Sequence, residues 1–157
     1  MRDCAITTDI IAGFCGETEQ DHQDTLDIMR RVKYDYAYMF QYSERPGTLA
    51  ARKYPDDIVP QEKTRRLNEI IALQNELSLE SNKKDVGKVL TVLVEGTSKR
   101  SDKELCGRAS NNKMCVFPAE LAEASEPTAP GRYHVGDYVK VEVLSCTSAT
   151  LICKIAE

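Results

Sequence analysis

The chain has 157 residues, 41% hydrophobic and 29% charged, with 21 Lys/Arg against 25 Asp/Glu and a net charge of −4. That length holds one ordinary domain or two small ones, and no apolar run approaches the ~20 residues of a membrane helix. The start of the chain lacks the basic segment, apolar core and cleavage site of a secretory signal, so a cytoplasmic location with no membrane partner is expected, and the acidic balance argues against nucleic acid for the chain as a whole.

The first element expected is a strand from Ala5 to Gly13, "AITTDIIAG", β-branched and apolar and bounded by Gly13 and Gly16. Its apolar residues Ile10, Ile11 and Ala12 are consecutive, the pattern of a parallel strand covered on both faces. Thr18 is placed to cap a helix, with Glu19 and Asp21 in a first turn that favours acids. That helix reaches about Lys33, with Leu26, Met29 and Val32 on one face and Arg30 and Arg31 near its end. "YAYMFQY" follows as a second strand, Tyr36, Tyr38, Phe40 and Tyr42 on one face and Ala37, Met39 and Gln41 on the other. Strand, helix and strand with short links form a βαβ unit with parallel strands.

"SERPGT" ends the unit in a tight turn at Pro46-Gly47. A helix is expected from about Pro60, with Leu67, Ile70, Ile71, Gln74 and Leu77 at helical spacing. From Val86 the period changes from 3.6 to 2. "VGKVLTVLVEG", "ELCGRA", "KMCVF", "DYVKVEVLS" and "TLICKI" are five short strands divided by turns, the pattern of a small closed barrel. "PAELAEASEPTAPGRYHVG" between the third and fourth reads as a loop with a short helical turn.

The fold class is therefore α/β followed by all-β, with the boundary between residues 1–81 and 82–157. Charge changes sign there: residues 1–81 carry ten Lys/Arg and fifteen Asp/Glu, residues 82–157 eleven and ten. Lys83 to Lys113 holds eight basic and four acidic residues, so the positive charge is local. Two parallel strands with two helices leave both sheet edges unpaired. Residues 1–81 are accordingly expected to be the last β/α units of a larger barrel, and the chain to be the back end of a longer protein.

The six cysteines, Cys4, Cys15, Cys106, Cys115, Cys146 and Cys153, form no C-x-x-C pair and have no histidine at zinc-ligand spacing. Reduced, mostly buried thiols are expected. His22 and His134 read as solvated, and Glu17, Glu19, Asp21 and Asp24 as the ordinary acids that open a helix. Gly13 and Gly16 let the backbone approach a ligand at the strand's C-terminal end, beside free N–H groups of the helix that begins near Thr18, or serve the turn's geometry alone. Tyr42, Ser43, Glu44 and Arg45 lie beyond the second strand on the same side, where Arg45 either holds a phosphate or carboxylate or is a solvated turn residue. In the barrel, Lys99, Arg100, Lys103, Arg108 and Lys113 lie on or beside connecting loops, with Asn111-Asn112 as a turn. Such loops bind phosphate backbones, and asparagines can reach bases or sugars; the other reading is a solvated charged rim. Phe117 is the nearest aromatic, so backbone or shape reading of a folded RNA is favoured over stacking on single strands.

"TTDIIAGFCGETEQDHQDTLDIM", "YSERPGTLAA", "RRLNEIIALQ" and "VLVEGTSKRSDKELCGRASNNKMCVF", in this order, resemble the tRNA methylthiotransferases of the radical SAM class, in particular the MiaB type. The match runs roughly from Asp3 to Ile155, and the "VEGTSKRS" run distinguishes these tRNA enzymes from ribosomal-protein methylthiotransferases. The resemblance implies the C-terminal portion of a partial radical SAM (TIM-like) barrel followed by a five-stranded, OB-like TRAM β-barrel that grips the tRNA anticodon arm. It implies an enzyme that methylthiolates carbon 2 of isopentenylated adenosine next to the anticodon, using S-adenosyl-L-methionine and two [4Fe–4S] clusters. SAM supplies a deoxyadenosyl radical that drives sulfur insertion, and a second SAM supplies the methyl group. A sulfur donor and an electron donor are implied, and the complete enzyme is expected to be a monomer. By the resemblance Asp9, Gly13 and Glu17 lie near SAM, and Lys99, Arg100, Lys103, Arg108, Asn111, Asn112 and Lys113 lie at tRNA. The C-x-x-x-C-x-x-C motif and the N-terminal cluster cysteines do not occur here, so no metal ligand and no catalytic residue is assigned, and the chain is expected to be inactive in isolation. Cys15 and Leu49 stand where many relatives have proline, and the loop from Ala119 to Arg132 is longer than in some. Two further readings stay open on the residues alone: a free-standing RNA-binding module without catalysis, and a structural adaptor whose patch contacts a protein.

Overall fold

The computed structural model describes residues 4–119 and 133–156. The expected loop beyond Ala119, from Glu120 to Arg132, lies outside them. The chain divides into two compact units, Ile6–Ser78 and the described residues from Leu79 onward.

The first unit opens with β1 (Thr7–Ala12), α1 (Glu19–Val32) and β2 (Tyr36–Gln41), followed by α2 (Leu49–Lys53) and most of α3 (Pro60–Lys83). β1 and β2 pair in parallel, with Thr7 opposite Tyr36 and Ala12 opposite Gln41. Thr18 caps α1 as expected: its hydroxyl accepts from Asp21 N at 3.2 Å while Asp21 Oδ2 accepts from Thr18 N at 2.8 Å, a reciprocal box. Lys33 closes the helix in the left-handed conformation, φ 56°. α2 is a short helix that the sequence reading did not include. It follows the Pro46-Gly47 turn, and Thr48 caps it by accepting from Ala51 N at 3.2 Å.

One face of this sheet carries the buried Ala37 together with Ile10, Ala12 and Met39, and the last three join Leu26, Met29, Ile70 and Leu77 in a core beneath α1 and α3. The opposite face is open. Thr7, Asp9 and Ile11 of β1 and Tyr36, Tyr38 and Phe40 of β2 are exposed, Ile11 at 56% and Phe40 at 55%. β1 was expected to be covered on both faces; the helices lie on one face only, so its apolar run is half covered. Val32 is likewise exposed and not on the buried face of α1.

The second unit is a closed barrel of β3 (Val89–Ser98), β4 (Ser101–Ala109), β5 (Met114–Pro118), β6 (Tyr138–Cys146) and β7 (Leu151–Ile155) in the order β3-β4-β5-β7-β6. All pairs are antiparallel except β5 with β7. The period-2 pattern is obeyed: Val92, Val94, Leu105, Phe117, Val139, Val141, Val143 and Leu151 fill the interior. Gly107 marks where β3 bends across β4. A β-carbon there would stand 2.0 Å from Leu93 O, so only glycine admits this crossing. Cys115 and Cys153 are buried in the same core. The hydrogen bond they share and burial push the Cys115 thiol far up, so it stays protonated and behaves as a small apolar group. Among the described residues no helix is long and apolar enough to cross a membrane.

Candidate nucleic-acid interface

The barrel's basic residues divide between the two ends of β4. Lys99 and Arg100 form the hairpin between β3 and β4, where Ser98 pairs with Ser101. Arg108, Asn111, Asn112 and Lys113 surround the turn from β4 to β5. β4 has nine residues, so the two turns stand roughly 27 Å apart along the strand. The sequence run thus makes two cationic clusters and not one patch.

At the first end Ser98 Oγ accepts from Arg100 N at 3.3 Å and Ser101 Oγ from Lys103 N at 3.2 Å. These bonds shape the turn with hydroxyls and leave the cations outside it. Lys99, Arg100 and Lys103 are exposed and have no ion pair among the described residues. Lys103 lies within β4, two residues past its start, and not on a loop.

The second end is more constrained. Asn112 adopts φ 61°, a left-handed conformation that asparagine tolerates, and its N–H donates to Ala109 O at 2.8 Å. Arg108 holds this turn: its Nη1 donates to Asn112 O at 3.0 Å, and its Nε lies 3.5 Å from Glu95 Oε1. Asn111 Oδ1 accepts from Lys113 N at 3.2 Å, so its side chain is used in the turn. Lys113, expected as a loop cation, is tied down. Its Nζ donates to Ser81 O at 3.0 Å, Ser81 Oγ at 2.8 Å and Asp85 Oδ2 at 2.7 Å, and its side chain is 12% exposed. Burial pushes the Asp85 carboxyl up, and the hydrogen bonds from Lys113 and Lys88 more than offset it, so its pKa ends below the usual range. Lys113 is committed to holding Asp85 charged.

The first unit carries the other candidate residues at the C-terminal end of β1. Gly13 is buried at φ +74°, and a β-carbon there would meet Lys63 Cγ at 2.5 Å. The Lys63 stem is the side chain that packs closest to this glycine. Glu17 Oε2 accepts from Gly13 N and, at 3.1 Å, from Phe14 N, while Asp57 Oδ1 accepts from Gly16 N at 2.8 Å. Of the two readings of this turn, ligand approach or geometry alone, the N–H groups of Gly13, Gly16, Thr18 and Asp21 are each met by the chain's own acids or hydroxyl, as is that of Phe14. Of Asp9, Gly13 and Glu17, Asp9 alone projects an exposed side chain, on the open sheet face beside Tyr38.

Two buried cations escaped the sequence reading. Lys63 Nζ donates to Asp56 Oδ1 at 2.6 Å, Asp56 Oδ2 at 2.7 Å and Tyr42 O at 3.3 Å, and lies 5.1 Å from the Tyr42 ring centre. Arg66 Nη1 donates to Glu17 O at 2.9 Å and its Nε to Glu62 Oε1 at 3.0 Å. A signal existed: 63, 66, 70, 74 and 77 share one helical face with the apolar stripe. Phe14 packs edge-on against Tyr42, ring centres 5.0 Å apart, while Ser43, Glu44 and Arg45 are exposed.

His22, expected to be solvated, is fully buried, with Nε2 2.7 Å from Glu69 Oε2. It occupies the position four residues before Leu26 and seven before Met29, so the helix turns it inward. His134 is exposed as expected, 3.7 Å from Asp137. No group of three or more His, Cys, Asp or Glu capable of holding a metal occurs among the described residues.

Residues 83–155 match the family model described as the TRAM domain. The tRNA-2-methylthio-N(6)-dimethylallyladenosine synthase of Amoebophilus asiaticus is 54% identical over 153 residues, 98% of this chain and 29% of that protein. The proteins of the same name from Phocaeicola vulgatus and Chlorobium phaeobacteroides are 50% and 52% identical, over 95% and 94% of this chain and 30% of each of theirs. The chain thus spans about 30% of the length of these curated relatives.

Proposed function

From the match of residues 83–155 to the TRAM domain model, we propose that this chain is the RNA-holding part of a tRNA methylthiotransferase, and that its barrel grips the anticodon arm. Functionally the division falls between residues 1–81 and 82–157. The observation that carries the reading is the pair of cationic turns, Lys99–Arg100 and Arg108 with Asn112, displayed on a rigid closed barrel. A closed barrel fixes the backbone of both turns, so binding orders chiefly the Lys and Arg side chains, and cations spaced along a strand meet phosphates at separate points of a folded RNA. Similarity that extends through the first unit as well as the barrel disfavours a free-standing RNA module.

In the same reading, β1 and β2 are the last strands of a larger radical SAM barrel whose other strands cover the open face of Ile11, Tyr36, Tyr38 and Phe40. SAM, reduced by a [4Fe–4S] cluster, would supply radical chemistry for inserting sulfur at carbon 2 of an isopentenylated adenine. Asp9 is the side chain of this chain that faces such a ligand. Gly13 and Glu17 act one step removed, by fixing the loop at the strand end. The sequence contains no C-x-x-x-C-x-x-C run, so in this reading other parts of the complete enzyme would hold the clusters. The sulfur and electron donors would engage the complete cytoplasmic enzyme, which would act as a monomer.

The test is the salt dependence of binding between this chain and a tRNA anticodon arm. The reading predicts weak binding, with log affinity falling against log salt at a slope of about −2 to −4, a few phosphates freed of counterions. Replacing Lys99, Arg100 and Arg108 by Ala flattens the slope. A slope that the triple variant leaves unchanged would remove these turns from the interface.

A further inference from the structure

The strand register builds one transverse row on the outer surface of the barrel. Tyr138 of β6 pairs with Leu93 of β3, Leu93 with Arg108 of β4, and Arg108 with Met114 of β5. All four point outward, since Val139, Val92, Ala109 and Cys115 beside them point into the core. Tyr138 is 72% exposed, among the most exposed large side chains of the molecule. Two strand spacings, roughly 10 Å, separate its backbone from that of Arg108. The guanidinium is fixed by Asn112 and Glu95 through Nη1 and Nε, and its Nη2 has no partner among the described residues. Lys140, also outward and exposed, follows two residues along β6.

We propose that this row is a contact for an unpaired RNA nucleotide, the base stacking on the Tyr138 ring and its phosphate meeting Arg108. The proposal rests on the RNA reading above and names what part of the RNA this face takes. A tyrosine largely in solvent presents a flat π-face that any base can cover, and a positioned arginine in the same row supplies the charge a phosphate requires. Phe117 cannot play this role, because it is 1% exposed in the barrel core. Stacking is thus available on the barrel surface, from an aromatic that lies far from Arg108 in sequence and next but one to it across the sheet. A row alternating aromatic, aliphatic and cation suits a nucleotide better than an apolar protein surface.

The experiment uses the full chain and fluorescence anisotropy with two RNA probes, a stem–loop with an unpaired loop and the same stem closed as a blunt duplex. Tyr138→Ala should weaken stem–loop binding about tenfold, Tyr138→Phe should bind as the wild type, and neither should change duplex binding. Circular dichroism melts should coincide, since the ring is exposed. Unchanged stem–loop affinity in Tyr138→Ala would overturn the inference and leave the ring to a protein contact, with the RNA reading intact. An equal loss on both probes would overturn it too, by showing a contact indifferent to unpaired bases. Failure of the wild type to bind either probe would overturn the RNA reading itself and this inference with it.

Discussion

Lysine 113 and lysine 99 are the same residue type fourteen positions apart, and the fold gives them different work. Lys113 neutralises the buried Asp85, which Lys88 also reaches. Lys113→Ala should therefore cost about 2 kcal/mol of stability, because it leaves a carboxylate with one partner removed from water. Lys99→Ala should leave the thermal melt unchanged and act on RNA binding alone. Equal melting temperatures for the two variants would contradict this division. Gly107→Ala should be harsher, upwards of ~3 kcal/mol, since the obstructing atom is the backbone oxygen of Leu93 and cannot move aside. Titration gives a further check. Hydrogen bonds from Arg65 and Arg66 hold Glu62 at about 2, and its hydrogen bond with His22 also holds Glu69 below the usual range. A folded value below the unfolded one stabilises above the unfolded value and is lost as pH falls through the folded one. The melting temperature should hold above about pH 4.5 and decline from there toward about pH 2, less steeply in Glu62→Gln. A decline that begins near neutral pH would contradict that assignment. Charge type alone did not reveal which cations were committed: Lys113 finds Asp85 only through the fold, while Lys63 and Arg66 pair with Asp56 and Glu62 nearby in the chain and are marked only by their place on the buried face of α3.

At the scale of elements, the alternating pattern made the five barrel strands legible, because each had one face to bury. The capped helix α1 and the proline start of α3 were legible for a similar reason, local chemistry that few other conformations satisfy. α2 was not, since five residues carry little periodicity and its cap, Thr48, lies inside a turn already explained by Pro46-Gly47. His22 was misread because its acidic neighbours concealed its place on the Leu26–Met29 stripe. β1 presents the opposite problem: its residues describe a strand covered on both faces, while one face of the β1–β2 pair here is bare. An open face of Ile11, Tyr36, Tyr38 and Phe40 should bind a hydrophobic dye. Ile11→Lys with Phe40→Lys should abolish that binding and retain the helical content. Dye binding that survives both changes would locate the apolar surface elsewhere.

For the molecule as a whole, the division of charge proved more telling than its sum. A net charge of −4 conceals a basic run, Lys99 to Lys113, that the barrel divides between the two ends of one strand. The sequence showed the basic run but not its separation, because Lys99 and Lys113 are close in the chain only until β4 straightens between them. The place of Tyr138 in the same row as Arg108 was beyond reach for the same reason, since β3 lies between their strands. The central claim, that this barrel holds RNA by both cationic turns, is tested most directly by mapping backbone amide shifts of the full chain as a tRNA anticodon arm is added. The account predicts the largest shifts at Lys99–Lys103 and Arg108–Asn112, with little change in the interior strand residues or in α1. Shifts confined to the first unit, or at one end of β4 and not the other, would contradict it.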